Sequence, residues 1–95
     1  MRNYEVAFIA HPDLDEESFK ALIEKVKGWI VAGGGAVGEP ELWGRRRLAY
    51  PIHKQREGQY VFLPAQLTPA ATGELERNLR LTETIMRFMI TAIED

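Results

Sequence analysis

Three adjacent arginines, Arg45, Arg46 and Arg47, stand between Trp43 and Tyr50, and a second basic group, Lys54 and Arg56, follows Pro51. A stable domain has no need of three neighbouring guanidinium groups. They repel one another, and each is costly to bury unpaired. Residues 42–56 hold five basic and no acidic side chains, although the whole chain carries a formal net charge of −2. The remainder is therefore acidic, and the positive excess belongs to one stretch. A local anionic partner accounts for that pattern, and a phosphate backbone is the commonest such partner. The flanking aromatic residues add to this, because unstacked bases of single-stranded RNA lie on aromatic rings and guanidinium planes. The plain alternative is a solvated basic face that maintains solubility.

Other chemistry is poorly served. There is no cysteine, so disulfides and thiolate chemistry are excluded. His11 and His53 are too few and too separated for a metal site, and both read as surface residues. Gly33-Gly34-Gly35-Ala36-Val37-Gly38 has the form G-x-G-x-x-G. A dinucleotide site needs a strand before that motif and a helix after it; here the order is reversed, which makes it a helix-to-strand connection. An acylphosphatase-like hydrolase would need an anion-cradling glycine loop beside a catalytic arginine and asparagine, and no such pairing is visible. No catalytic residue, metal or cofactor is expected, and the chain does not read as an enzyme.

The elements that must position the basic stretch can be read from periodicity. Ninety-five residues, 45% hydrophobic and 27% charged, suit one globular domain spanning residues 1–95. Residues 1–10 alternate, with Tyr4, Val6, Phe8 and Ala10 on one side, as a strand with one buried face does. They do not read as a signal peptide, and no apolar run approaches the ~20 residues of a membrane span, so a soluble cytoplasmic protein is expected. Asp15 is placed as a helix N-cap, with Leu14 and Phe19 at the spacing of a hydrophobic staple. Phe19, Leu22, Ile23, Val26 and Ile30 then make an apolar stripe that ends at the triple glycine.

Residues 36–50 run extended, interrupted by Pro40 and Gly44, as in an edge strand or a bulge. His53–Gly58 reads as a polar hairpin loop. Gln59–Leu67 is a strand that buries Val61, Leu63, Ala65 and Leu67, although Pro64 removes a ladder donor from it. Thr68-Pro69 begins a second helix with Ala71, Leu75 and Leu79 inward, and Ile85–Ile93 is the last strand. Strand, helix, strand, strand, helix, strand is the α+β, ferredoxin-like βαββαβ sandwich. Right-handed crossovers put both helices on one face of a four-stranded antiparallel sheet, with the first and third strands central. The other face is left open. It presents Glu5, Ile9, Tyr60, Phe62, Arg87 and Met89, an apolar patch ringed by charge and a candidate binding surface.

The run from Trp43 through Arg45, Arg46, Arg47, Leu48, Tyr50 and Pro51 to Ile52, followed by Lys54, Gly58 and Tyr60, resembles the signature of the bacterial small-subunit ribosomal protein six family. Met1 to Glu5, His11-Pro12 with its acidic helix start, Asn78 to Leu81, and Ile85 to Met89 resemble the same family, so the likeness spans essentially the whole chain. It implies a ferredoxin-like structural constituent of the small ribosomal subunit. Such a protein binds the central domain of 16S rRNA together with small-subunit ribosomal protein eighteen, on cytoplasmic ribosomes. Carried over by position, Arg2, Arg45, Arg46, Arg47, Lys54, Arg80 and Arg87 become candidates for phosphate contact. Trp43, Leu48 and Tyr50, with Tyr60, Phe62 and Met89 of the open face, become candidates for the protein interface or for stacking. Many family members carry a charged tail past the fourth strand. This sequence stops at Asp95, which puts in doubt any contact the family makes through that tail. A ferredoxin-like oligomeric or ligand-binding regulatory module is the alternative reading, and it leaves Arg45–Arg47 without a purpose.

Overall fold

In the computed structural model, residues 1–93 are described; the sequence end at Asp95 lies outside them. The elements are β1 (Arg2–Ala10), α1 (Glu16–Ala32), β2 (Ala36–Val37), β3 (Glu41–Ile52), β4 (Gln55–Leu67), α2 (Pro69–Arg80) and β5 (Ile85–Ala92). All strand pairs are antiparallel, in the order β2-β4-β1-β5, with β3 on the same side of β4 as β2. This is the expected ferredoxin-like α+β arrangement, with β1 and β4 central.

The count of strands differs from expectation, because the second strand is broken in two at residues 38–40. Pro64 explains the break. Its carbonyl accepts from Gly38 N–H at 2.9 Å, so its backbone polar side faces that edge and not β1. A proline has no N–H to offer there, and the ladder stops between Val37↔Ala65 and Glu41↔Phe62. Pro64 is thus accommodated in a central strand, because its missing donor points at an interruption. A Cβ on Gly38 would lie 2.9 Å from the Pro64 ring, which keeps residue 38 small.

The hairpin also differs. The loop expected over His53–Gly58 is only a two-residue turn, His53-Lys54, and β4 begins at Gln55 opposite Ile52. Both turn residues have positive φ, 49° and 65°, as a type I′ turn requires. That turn normally announces itself as Asn-Gly, so His-Lys concealed it. The consequence is a long β-arm bearing the basic residues.

The helices follow their local signals. The Asp15 carboxylate accepts from Ser18 N–H at 2.7 Å, and this lowers its pKa below the usual 3.8. Phe19 is buried, and Leu14 packs against the core beside it. At the other end of α1, Gly34 takes φ 86° while Gly35 N–H returns to Ile30 O at 3.0 Å. Thr68 occupies the N-cap of α2 without a side-chain cap bond, and Pro69 takes the first helical position. The core joins the alternate residues of β1 and β4, including Val6, Phe8, Val61, Leu63 and Leu67, to the α1 stripe and to Leu75 and Leu79. Tyr4 is part of it, as its place on the strand requires.

Candidate nucleic-acid interface

Residues opposite each other in an antiparallel ladder share a face. Val61 of β4 faces the helices, so Tyr60 and Phe62 face the open side. Leu42 pairs with Val61, but Gly44 pairs with Tyr60, so Trp43 is an extra residue. This bulge, with Gly44 at φ 75°, reverses the alternation from Gly44 to Arg47. Arg45 therefore lies opposite Gln59 on the helix side, Arg46 opposite Gly58 on the open side, and Arg47 opposite Glu57 on the helix side. Separation onto two faces eases the repulsion that three consecutive guanidinium groups would otherwise suffer.

On the open side the cations rest on aromatic rings. The Arg46 guanidinium lies 5.5 Å from the Trp43 ring centre, and its Nε donates to Trp43 O at 3.2 Å. Trp43 in turn packs on Phe62 at 4.6 Å with the rings tilted by 48°, and its indole N–H donates to Glu41 at 3.0 Å. The Arg87 guanidinium lies 5.4 Å from the Tyr50 ring centre and donates to its hydroxyl. Ala7, Ile9, Tyr60, Phe62, Arg87 and Met89 help line a shallow, mostly apolar depression of about 230 Å³ on the same face. Such cation–π pairs are each worth ~0.5–1 kcal/mol when exposed. They hold the long arginine side chains over the sheet while the charge stays accessible.

The remaining candidates are dispersed. Arg45 donates to Pro12 O in the turn after β1. Arg47, Lys54 and Arg56 are exposed along the arm, and among the described residues none forms an ion pair. Arg80 pairs with Glu76 at 2.6 Å on α2, the i,i+4 arrangement, and is partly neutralised by it. Arg2 lies opposite Leu67, at the end of β4 remote from the hairpin. The structure thus brings together Arg46, Arg87, Trp43, Tyr50, Tyr60, Phe62 and Met89, and sets Arg2 and Arg80 apart. Leu48 is buried at 9% exposure, whereas Tyr50 is 55% exposed and belongs to the surface.

Two participants escaped the sequence reading as site residues. Arg56 belonged to the basic stretch, but only the charge count used it. Gln59 looked like the first residue of a strand, and nothing in its type signals that its amide donates to His11 O and Leu14 O. Among the described residues no group of histidine and carboxylate side chains is gathered as a metal site would require.

Comparison with known proteins gives one consistent result. The family described as Ribosomal protein S6 matches residues 3–92. The small ribosomal subunit protein bS6 of Clostridium novyi is 52% identical over 90 residues, covering 95% of each chain. That of Moorella thermoacetica is 43% identical over 95 residues, covering 100% of this chain and 97% of its own. The crystal structure of 30S ribosomal protein S6 from Thermotoga maritima superposes with a TM-score of 0.92 at 33% identity, covering 97% of this chain and 87% of that one.

Proposed function

The chain belongs to the ribosomal protein S6 family, and on that premise we propose that its basic hairpin and open sheet face bind 16S rRNA and a protein partner side by side. It is a structural protein of the bacterial small ribosomal subunit, located on the ribosome in the cytoplasm, and not an enzyme. The finer reading concerns what it contacts there. The RNA is the central domain of 16S rRNA, and the partner is small-subunit ribosomal protein eighteen.

The observation that carries this reading is the segregation of charge from apolar surface along one arm. Arg47, Lys54 and Arg56 project as unpaired cations, which is how a phosphate backbone is met. Arg46 and Arg87 stand at the border, each on an aromatic ring. Beyond them Trp43, Tyr60, Phe62 and Met89 offer three aromatic rings and a methionine, residue types enriched in protein interfaces. Tyr50 lies at the junction, and buried Leu48 acts by supporting the strand. Arg2 and Arg80, remote from this patch, would make separate phosphate contacts.

The test is binding of a central-domain rRNA fragment across a salt series, with and without protein eighteen. An Arg45/Arg46/Arg47→Ala variant should bind more weakly and with a shallower dependence on salt. Each lost contact lowers the magnitude of the log–log slope by about 0.7–0.9, the values for single strands and for duplex DNA. RNA affinity that is flat between low and high salt would refute the proposal. A variant that binds RNA normally but pairs poorly with protein eighteen would reassign the arginines to the protein interface.

A further inference from the structure

Arg45 and Gln59 face each other across the β3–β4 ladder, on the helix side, and both reach the same turn. Gln59 Nε2 donates to His11 O at 3.2 Å and to Leu14 O at 3.3 Å. Arg45 Nη2 donates to Pro12 O. One cross-strand pair therefore holds three carbonyls of the four-residue segment between β1 and the α1 cap. Pro12 is buried, and a buried carbonyl must find a donor. The turn is itself fastened to the far edge of the sheet, through His11 N–H to Thr84 O at 2.8 Å. The base of the arm is thus tied to a fixed point of the domain.

Arg47 makes the contrast. It lies on the same side two residues further on, with Glu57 opposite; both arginines are exposed, but the Arg47 side chain has no hydrogen bond or ion pair among the described residues. Beyond that pair the ladder is irregular until Ile52↔Gln55, so the arm's direction is set at its base and not along its length.

We propose that Arg45 and Gln59 form a clasp on the β1–α1 turn that aims the basic hairpin, making Arg45 a positioning residue and not a phosphate contact. This rests on the RNA-binding reading above and divides its arginines. The Pro12 carbonyl is neutral and leaves Arg45 its charge, but a guanidinium held on the turn is held away from the phosphates, so it adds nothing to the counterions released when RNA binds. Its removal lets the arm swing, which weakens every RNA contact the arm makes but leaves their number unchanged.

The experiment measures affinity for the central-domain fragment, in the presence of protein eighteen, across a salt series for Arg45→Ala, Arg47→Ala, Gln59→Ala and Arg45→Ala/Gln59→Ala. Arg47→Ala should reduce the slope by about 0.7–0.9, the value of one phosphate contact. Arg45→Ala should lower affinity by a constant factor at every salt concentration, with the wild-type slope. Gln59→Ala, which removes no charge, should do the same, and the double variant should cost less than the two single losses combined. A slope that falls for Arg45→Ala as it does for Arg47→Ala overturns the proposal. So does wild-type affinity in Arg45→Ala. If Arg47→Ala also leaves affinity and slope untouched, the RNA-binding reading of the arm fails, and the proposal with it.

Discussion

Replacing Gly35 by alanine should destabilise the domain by roughly 2–4 kcal/mol. The methyl carbon would be placed 2.4 Å from Gln66 O, 2.8 Å from Leu67 Cδ2 and 3.1 Å from Ile30 Cγ2. Carbon and carbonyl oxygen ordinarily approach no closer than ~3.3 Å, so backbone must separate by nearly an ångström. The neighbours leave no free direction for it. Gly35 N–H is bonded to Ile30 O at 3.0 Å, closing the end of α1, and the next residue, Ala36, is in register with Gln66. Overpacking of this kind costs about 1–3 kcal/mol, and losing one of the flanking hydrogen bonds adds ~1 kcal/mol. Gly73→Ala provides the control. It lies within α2 with nothing near the added carbon, and should stabilise by ~0.5–1 kcal/mol. Equilibrium unfolding in urea reads both, and for a domain of this size 1 kcal/mol moves the melting temperature by roughly 4–8 °C. A Gly35→Ala protein within about 0.5 kcal/mol of wild type, well below the overpacking range, would refute the packing argument.

Leu79→Ala, at a position fully buried between α2 and the sheet, should cost ~2–5 kcal/mol in the same urea assay. The Asp15 cap makes stability depend on acid: its pKa is lowered in the folded state by hydrogen bonds from Ser18, so its contribution is complete above the unfolded value near 3.8 and is lost as pH falls through the lower folded one. Asp15→Asn keeps a capping oxygen and removes the titration, so thermal melts at pH 7 and at acid pH should differ less for it than for wild type; equal differences would dismiss the cap as the source.

Much was legible from local signals, because the physics behind them is local. Alternation in residues 2–10 and 59–67, the α1 stripe, the Asp15 cap and the glycine stop each depend on residues a turn or less apart. So did the charge of residues 42–56, which needs no fold to be counted. The hairpin length was not legible, since His53 and Lys54 adopt positive φ without the residue types that advertise it, held there by the ladder on both sides. Pro64 looked like an obstacle, and only the pairing on its two sides shows that its missing donor faces a break.

By itself the sequence determined the order of strands and helices apart from the break in the second strand, the buried faces, the family likeness and the presence of a cationic stretch, all of which follow from residue type and spacing. Only the tertiary structure decided where each arginine lies. Period-two alternation puts Arg46 opposite in sense to Arg45 and Arg47, but which of them meets the open face depends on the extra residue at Trp43. That register, together with the turn carbonyls brought beside Arg45 from more than thirty residues away, exists only once β3, β4 and the end of β1 have packed.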